Sequence, residues 1–325
     1  MFTLRVVPTE EAVGLMLAHD LTRIVPGEGK GPAFRRGHVV TAADISLLLA
    51  MGKEHLYVWE PLPGMVHEEE AARRLAAAGA GQGLTWDSPA EGKVSLRAAH
   101  RGLLRVDVAR LEAINAIGEI TIATRRDATL VEAGTVVAGC KVTPLVVAEE
   151  QIARAEAMGP WIQVKPLAPL PAGLIVTGSE VFKGRIPDKF GPVVEEKLER
   201  FGCPVVYKAY SDDQADRTAA KIREALAAGA RMVLCTGGMS VDPDDATPGA
   251  IRRAGAQVVT YGVPFLPGSM FMMAYLEGVP VMGLPGAVMY EKETVFDHVL
   301  PRVLAGEILT KQDFVRMGHG GLLPR

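Results

Sequence analysis

The densest chemistry in this 325-residue sequence lies in Thr236-Gly237-Gly238-Met239-Ser240-Val241-Asp242-Pro243-Asp244-Asp245-Ala246-Thr247-Pro248. Two adjacent glycines let a backbone turn tightly and bring its N–H groups to an anion with no side chain between. Thr247 reads as a helix N-cap with Pro248 at the first helical position, so a helix N-terminus adds to that positive field. Asp242, Asp244 and Asp245 pull the other way, since carboxylates repel an unaccompanied phosphate. The two halves of the loop agree if Mg²⁺ bridges carboxylate and phosphate oxygens, a role that suits its preference for oxygen ligands. The plainer reading is a glycine turn followed by solvated or helix-capping aspartates.

Three other segments carry related chemistry, and a fourth shares their turn residues. Thr177-Gly178-Ser179-Glu180 sets one glycine between two hydroxyls, with a carboxylate after them. Ser211-Asp212-Asp213 offers two carboxylates that suit a metal or base position, or the cap of the helix that follows. Val281 to Ala287 reads as a strand entering the Pro285-Gly286 turn before a long helix, and Pro264 to Met270 has similar turn chemistry.

Positioning these loops requires a regular frame, and the alternation from Gly173 onward supplies one. Strands are predicted at Gly173–Thr177, Val205–Tyr210 and Arg231–Thr236, and helices at Phe190–Phe201 and Gln214–Ala228. The second helix puts Ala219, Ile222, Ala225 and Leu226 on one stripe. Met232-Val233-Leu234-Cys235 is apolar throughout, as a strand covered on both faces should be. This pattern predicts an α/β domain with a mostly parallel sheet, whose ligands bind off the carboxyl ends of the strands. The proline-rich run Lys165 to Pro171 marks its start, because proline lacks a donor and interrupts ladders and helices alike.

Upstream, the predicted elements are a strand at Leu4–Val7, a helix at Thr9–His19, a helix opened by the box-like Thr41-Ala42-Ala43-Asp44, and a strand at Leu56–Trp59 closed by Glu60-Pro61-Leu62-Pro63-Gly64. A helix at Glu68–Ala80 and a second at Ala148–Met158 flank strands at Val94–Arg97, Gly102–Val106, Glu119–Thr124 and Thr135–Lys141. The expected organisation is an α+β module over residues 1–64, a β-rich mixed module over 65–168, the α/β domain over 169–310, and a mobile tail over 311–325.

Composition narrows the functional classes. With 48% hydrophobic residues and a formal net charge of −3, the chain can bury real cores and has no global attraction to nucleic acid. Cys140, Cys203 and Cys235 lack metal-ligand spacing and stand in apolar surroundings, as buried structural thiols do. No apolar run reaches the length of a membrane helix, and the first residues lack a signal-peptide layout, which points to the cytoplasm.

Taken in order, Thr177-Gly178-Ser179-Glu180, Ser211-Asp212-Asp213, Thr236-Gly237-Gly238-Met239-Ser240 with Asp245, and Leu284-Pro285-Gly286 resemble the molybdopterin-binding domain shared by molybdopterin molybdotransferases and molybdopterin adenylyltransferases. The resemblance implies a three-layer α/β/α domain that holds molybdopterin, as ligand or substrate, at the strand edge. The pterin would lie against Thr177, Gly178, Ser179, Glu180, Thr236 to Ser240, Pro285 and Gly286. It implies catalytic roles for Asp245 and Asp212, with Asp245, Asp213 and Asp242 as Mg²⁺ ligands. Homodimers or higher homo-oligomers are expected, with a small-molecule pterin or nucleotide as partner and neither nucleic acid nor membrane. The Thr-Gly-Gly loop resembles the molybdotransferase form, whereas Asp245-Ala246-Thr247-Pro248 resembles the adenylyltransferase form.

This chain also departs from the pattern. Ser179 stands where an aspartate is typical, Pro267-Gly268-Ser269-Met270 lacks the usual lysine, and Ala287-Val288 replaces an asparagine and a proline. The resemblance therefore leaves three readings open: a cofactor-assembly enzyme, a molybdopterin carrier or sensor, and an ADP-ribose-type pyrophosphatase similar to the competence/damage-inducible protein A family.

Overall fold

The computed structural model describes residues 3–25, 29–60, 64–240 and 246–324, and the chain divides into two compact units, Met1–Lys165 and Pro166–Arg325. The expected turn at Pro61-Leu62-Pro63 lies outside the described residues.

In the first unit, the strand Thr3–Pro8 pairs antiparallel with His55–Glu60. A small core of Val7, Leu17, Leu48, Leu56 and Val58 lies beneath them. Asp44 organises the entry to the helix Ile45–Ala50 by accepting from both the N–H and the hydroxyl of Thr41, each at 2.8 Å. The predicted helix over Thr9–His19 does not form. After one turn at Thr9–Glu11 the N–H groups of Gly14, Leu17 and Ala18 donate to Val40, His38 and Tyr57 instead of to residues four back. Non-local β-like pairing has overridden a helical apolar spacing.

Residues 65–165 fold round a four-stranded sheet that runs Leu84–Trp86, Lys93–Ala98, Val136–Val142, Ile120–Thr124 in spatial order. The helix Glu68–Gly79 buries Ala71, Ala72, Leu75 and Ala76 in the same core as that sheet. Cys140 lies within this core, and burial pushes its thiol up to about 12, so it is inert at neutral pH.

The second unit alternates β1 (Ala172–Thr177), α1 (Phe190–Glu199), β2 (Val205–Ser211), α2 (Ala215–Ala227), β3 (Met232–Thr236) and α3 (Thr247–Arg253). It continues with β4 (Gln257–Tyr261), β5 (Met272–Leu276), β6 (Val279–Leu284), α4 (Val295–Leu304) and α5 (Lys311–Arg316). The sheet order is β2-β1-β3-β6-β5-β4, with β1, β2, β3 and β6 parallel. Strand β5 runs antiparallel to both neighbours, so only β5 opposes the common direction.

Alternation along the central strands makes the three layers. Leu174, Val176, Leu234, Met282 and Leu284 pack with Val194 and Leu198 of α1 and Phe296 and Val299 of α4. Ile175, Val233, Cys235 and Val281 point the other way, against Ala219, Ile222 and Ala225 of α2 and Ile251 of α3. Leu226, the remaining member of the predicted stripe, packs at the margin of that second layer.

Two expectations about the end of the chain are corrected. The Pro285-Gly286 turn leads into a single helical turn, Ala287–Tyr290, and the longer α4 starts only at Val295, where Thr294 and Asp297 form a reciprocal capping box. The segment expected as a mobile tail carries α5. Phe314 is 1% exposed in the main core, Arg302 pairs with Asp313 at 2.7 Å, and Leu266 donates to the Gly321 carbonyl at 2.7 Å. The glycines and polar residues near the terminus hid one aromatic anchor and a second Thr-Asp capping box, Thr310 with Asp313.

Two outcomes follow from that anchoring. Phe314→Ala removes a fully buried ring and should lower unfolding free energy by about 3 kcal/mol in denaturant titration, whereas a frayed tail would leave stability unchanged. Burial alone would raise the Asp313 carboxyl, but the Thr310 hydroxyl, the Arg302 guanidinium and the Thr310 N–H hold it down to about 2. A depressed folded-state pKa stabilises above the unfolded value and is lost as pH falls through the folded one. Asp313→Asn should therefore be less stable than wild type above about pH 4, with the deficit closing toward pH 2; a deficit that does not change with pH would refute this assignment.

Candidate functional site

Because β1, β2, β3 and β6 are parallel, the segments after Thr177, Ser211, Thr236 and Leu284 leave the sheet at one edge. All four sequence segments singled out for their chemistry start there, as expected for the carboxyl edge of such a sheet.

Buried hydroxyls tie the first and third loops together. Thr177 Oγ1 donates to the Thr236 carbonyl at 2.8 Å and meets Thr247 Oγ1 at 3.1 Å. Thr247 is therefore not the N-cap of α3. Ala246 takes that position without a side-chain bond, and the Thr247 hydroxyl serves the loop instead. Thr236 is itself fully buried, and among the described residues its Oγ1 has no hydrogen-bond partner.

The glycine pair is required by this close approach. Gly237 has φ +83°, and a Cβ there would sit 2.5 Å from the Thr177 carbonyl oxygen; a Cβ on Gly238, at φ +52°, would sit 3.0 Å from Thr247 Oγ1. Only glycine combines that backbone conformation with that clearance. Met239 turns its side chain inward, 4% exposed and packed over Gly283, so at this position only the backbone can reach a ligand. Tyr261, which the sequence reading missed, donates its hydroxyl to the Met239 carbonyl at 3.0 Å and to that of Ser240 at 3.2 Å. Its place at the end of β4 was the available signal, because the reversed β5 brings β4 to the same edge.

The two carboxylates after β2 act as connectors. Asp213 Oδ2 accepts the Ser179 N–H at 3.0 Å, joining the second loop to the first. Asp212 is 7% exposed, accepts from Arg217 at 2.6 Å and from the Gln214 N–H at 3.3 Å, and so braces the start of α2. Glu180 is exposed at the base of the first loop, Pro285 is buried and Gly286 exposed. A Cβ on Gly268 would come within 3.5 Å of Pro285, so the 267–270 turn lies against the fourth loop.

Asp242, Asp244 and Asp245 lie outside the described residues. Among the described residues no group of three or more His, Cys, Asp or Glu side chains is arranged to hold a metal. The three cysteines are free and buried, and burial pushes Cys235 up to about 12, which removes it as a nucleophile or soft ligand at neutral pH. No helix among the described residues is long and apolar enough to cross a membrane.

Residues 6–60 match a domain of unknown function, DUF8806, and residues 173–305 match the family described as probable molybdopterin binding domain. A molybdopterin molybdenumtransferase of Synechococcus elongatus is 31% identical over 144 residues, 42% of this chain and 34% of that protein. One from Staphylococcus aureus strain COL is 30% identical over 134 residues, 39% of this chain and 32% of that protein. A CinA-like protein of a Mycobacterium species (strain JLS) is 32% identical over 82 residues, 25% of this chain and 20% of that protein. The chain thus spans between a fifth and about a third of these relatives' lengths. Over residues 173–305, then, the chain is similar to the molybdopterin-binding domain family.

Proposed function

We propose that the second unit binds molybdopterin at the carboxyl edge of its sheet and that the chain works in molybdenum-cofactor assembly, as a cytoplasmic, homo-oligomeric enzyme of the molybdotransferase or adenylyltransferase kind. The observation that carries this reading is the convergence of the Thr177, Ser211, Thr236 and Leu284 segments, with Gly237 fitted against the Thr177 backbone. Backbone N–H groups of the Gly237-Gly238 turn would meet the ligand's anionic end, and Thr177, Gly178, Ser179 and Glu180 would border it. Mg²⁺ would be held by Asp245 and Asp242 with help from Asp213, and when bound it supplies neutralisation of phosphate charge. Rate enhancement would then come from positioning and electrostatics, with no protein nucleophile.

A second reading is a carrier that holds the pterin without transforming it. It is favoured by Asp212 and Asp213 being engaged with Arg217, Gln214 and Ser179, which leaves neither placed as a free base. The match to a CinA-like protein makes an ADP-ribose-type ligand the third.

Calorimetric titration with molybdopterin, its adenylylated form and ADP-ribose, each with Mg²⁺ and with EDTA, separates the three. Mg²⁺-dependent pterin binding that Asp245→Asn abolishes is the expected result. Binding insensitive to both changes selects the carrier, and affinity for ADP-ribose alone would overturn the pterin reading. Gly237→Ala should cost about 1–3 kcal/mol of stability and weaken the ligand at least tenfold. Gly249→Ala, in α3 with nothing within 4 Å of its added methyl, should instead stabilise by about 0.5–1 kcal/mol. Equal effects of the two substitutions would show that the glycine loop is not fitted as described.

A further inference from the structure

The loop between β1 and α1 carries charge that the site described above leaves unused. From Gly178 onward the backbone bonds back into its own segment: the N–H groups of Phe182, Lys183, Gly184 and Arg185 donate to Gly178, Ser179, Val181 and Glu180 at 2.9, 3.0, 2.9 and 2.8 Å. Gly184, at φ +67°, makes the turn. The result is a fixed arm that holds Lys183 and Arg185 in register with Gly178–Glu180, and Lys189 follows just before α1. All three cations are exposed, and among the described residues none is paired with a carboxylate. Nearby acid is partly spent, because Asp188 Oδ1 accepts the N–H groups of Phe190 and Gly191 at 3.0 and 2.8 Å.

Beside the arm lies a groove of about 730 Å³, lined by Phe182, Ile186, Asp188, Lys208, Tyr210 and Lys221 among others; Asp188 Oδ2 faces Lys208 at 3.6 Å and accepts the Tyr210 hydroxyl. That volume falls within the range of small-molecule sites. Phe182, Ile186 and Tyr210 are 45%, 48% and 42% exposed, an apolar wall that no described residue covers.

We propose that Lys183, Arg185 and Lys189 form the anion-recognition arm of this edge, gripping the phosphate or pyrophosphate oxygens of the ligand while the groove's aromatic and aliphatic wall takes its apolar body. This rests on the reading that the edge binds a phosphorylated ligand. Unpaired like charges on one short arm repel each other, and a multivalent anion turns that repulsion into attraction. Exposed charge pairs are individually weak and salt-sensitive, so the arm acts through number and fixed geometry.

The test is titration of the full chain and of a Lys183→Ala/Arg185→Ala/Lys189→Ala variant with molybdopterin, ATP and inorganic pyrophosphate at two salt concentrations. The three side chains are exposed, so an unchanged melting temperature shows that the variant is folded. Expected is about tenfold weaker binding in the variant, with a flatter salt dependence. Loss with molybdopterin assigns the phosphate to the pterin; loss with ATP alone assigns it to a nucleotide. Wild type that binds pyrophosphate or ATP but no pterin, with that binding lost in the variant, keeps the arm and sinks the pterin reading. Equal affinity of variant and wild type for every anion, or no anion binding by the wild type, overturns the proposal.

Discussion

The contact on which the C-terminal site depends is the one between Thr177 and the chain turning back at Gly237. Its hydrogen bond to the Thr236 carbonyl is buried, and a neutral bond of this kind contributes about 1 kcal/mol net. Leaving either partner unmade costs more than that, because no water can replace it. The steric side is stricter: two loops whose backbones nearly touch admit no side chain between them. Everything at the edge follows from this proximity. Thr247 gives its hydroxyl to the pair instead of capping α3, and Gly237 and Gly238 are seated against Thr177 and Thr247.

A second set of ties runs across the edge and fixes the loops in relation to one another. Asp213 binds the Ser179 N–H, and the Tyr261 hydroxyl binds two carbonyls of the third loop. A site assembled from four separate strands has little local sequence to hold it, so such cross-links do what secondary structure does elsewhere. Thr236 is the exception. Its buried hydroxyl lacks a partner among the described residues, although valine would fill the same space without that penalty.

Sequence was most informative where periodicity and local turn chemistry act together. The apolar run Met232 to Cys235, the stripe on α2 and the glycine pair all name their structural roles in a few adjacent residues. It was least informative where long-range pairing decides. The stretch from Thr9 to His19 has helical spacing yet bonds to Val40, His38 and Tyr57, partners that lie tens of residues away. Thr247 shows the same limit on a smaller scale: a Thr-Pro pair is a good N-cap signal, and only the arrival of Thr177 from 70 residues upstream gives the hydroxyl another use. Asp212 suits a base or a cap in the sequence, and only the fold brings its carboxylate to the Gln214 N–H and the Arg217 guanidinium. Phe314 is invisible because nothing in its immediate neighbourhood distinguishes it from ordinary aromatic residues, and Tyr261 offers only its place at a strand end.

Met239 and Gly283 add a constraint of a different kind. The methionine's terminal atoms occupy the place a Cβ at 283 would need, only 2.6 Å from it. The two positions, 44 residues apart in the chain, therefore behave as a single inherited character. A lineage that shortens the side chain at 239 opens a void that a larger residue at 283 can fill, and one that enlarges 283 first must displace the methionine from its place over that position. Across relatives the pair should drift together, so that the bulk at one position records the bulk at the other.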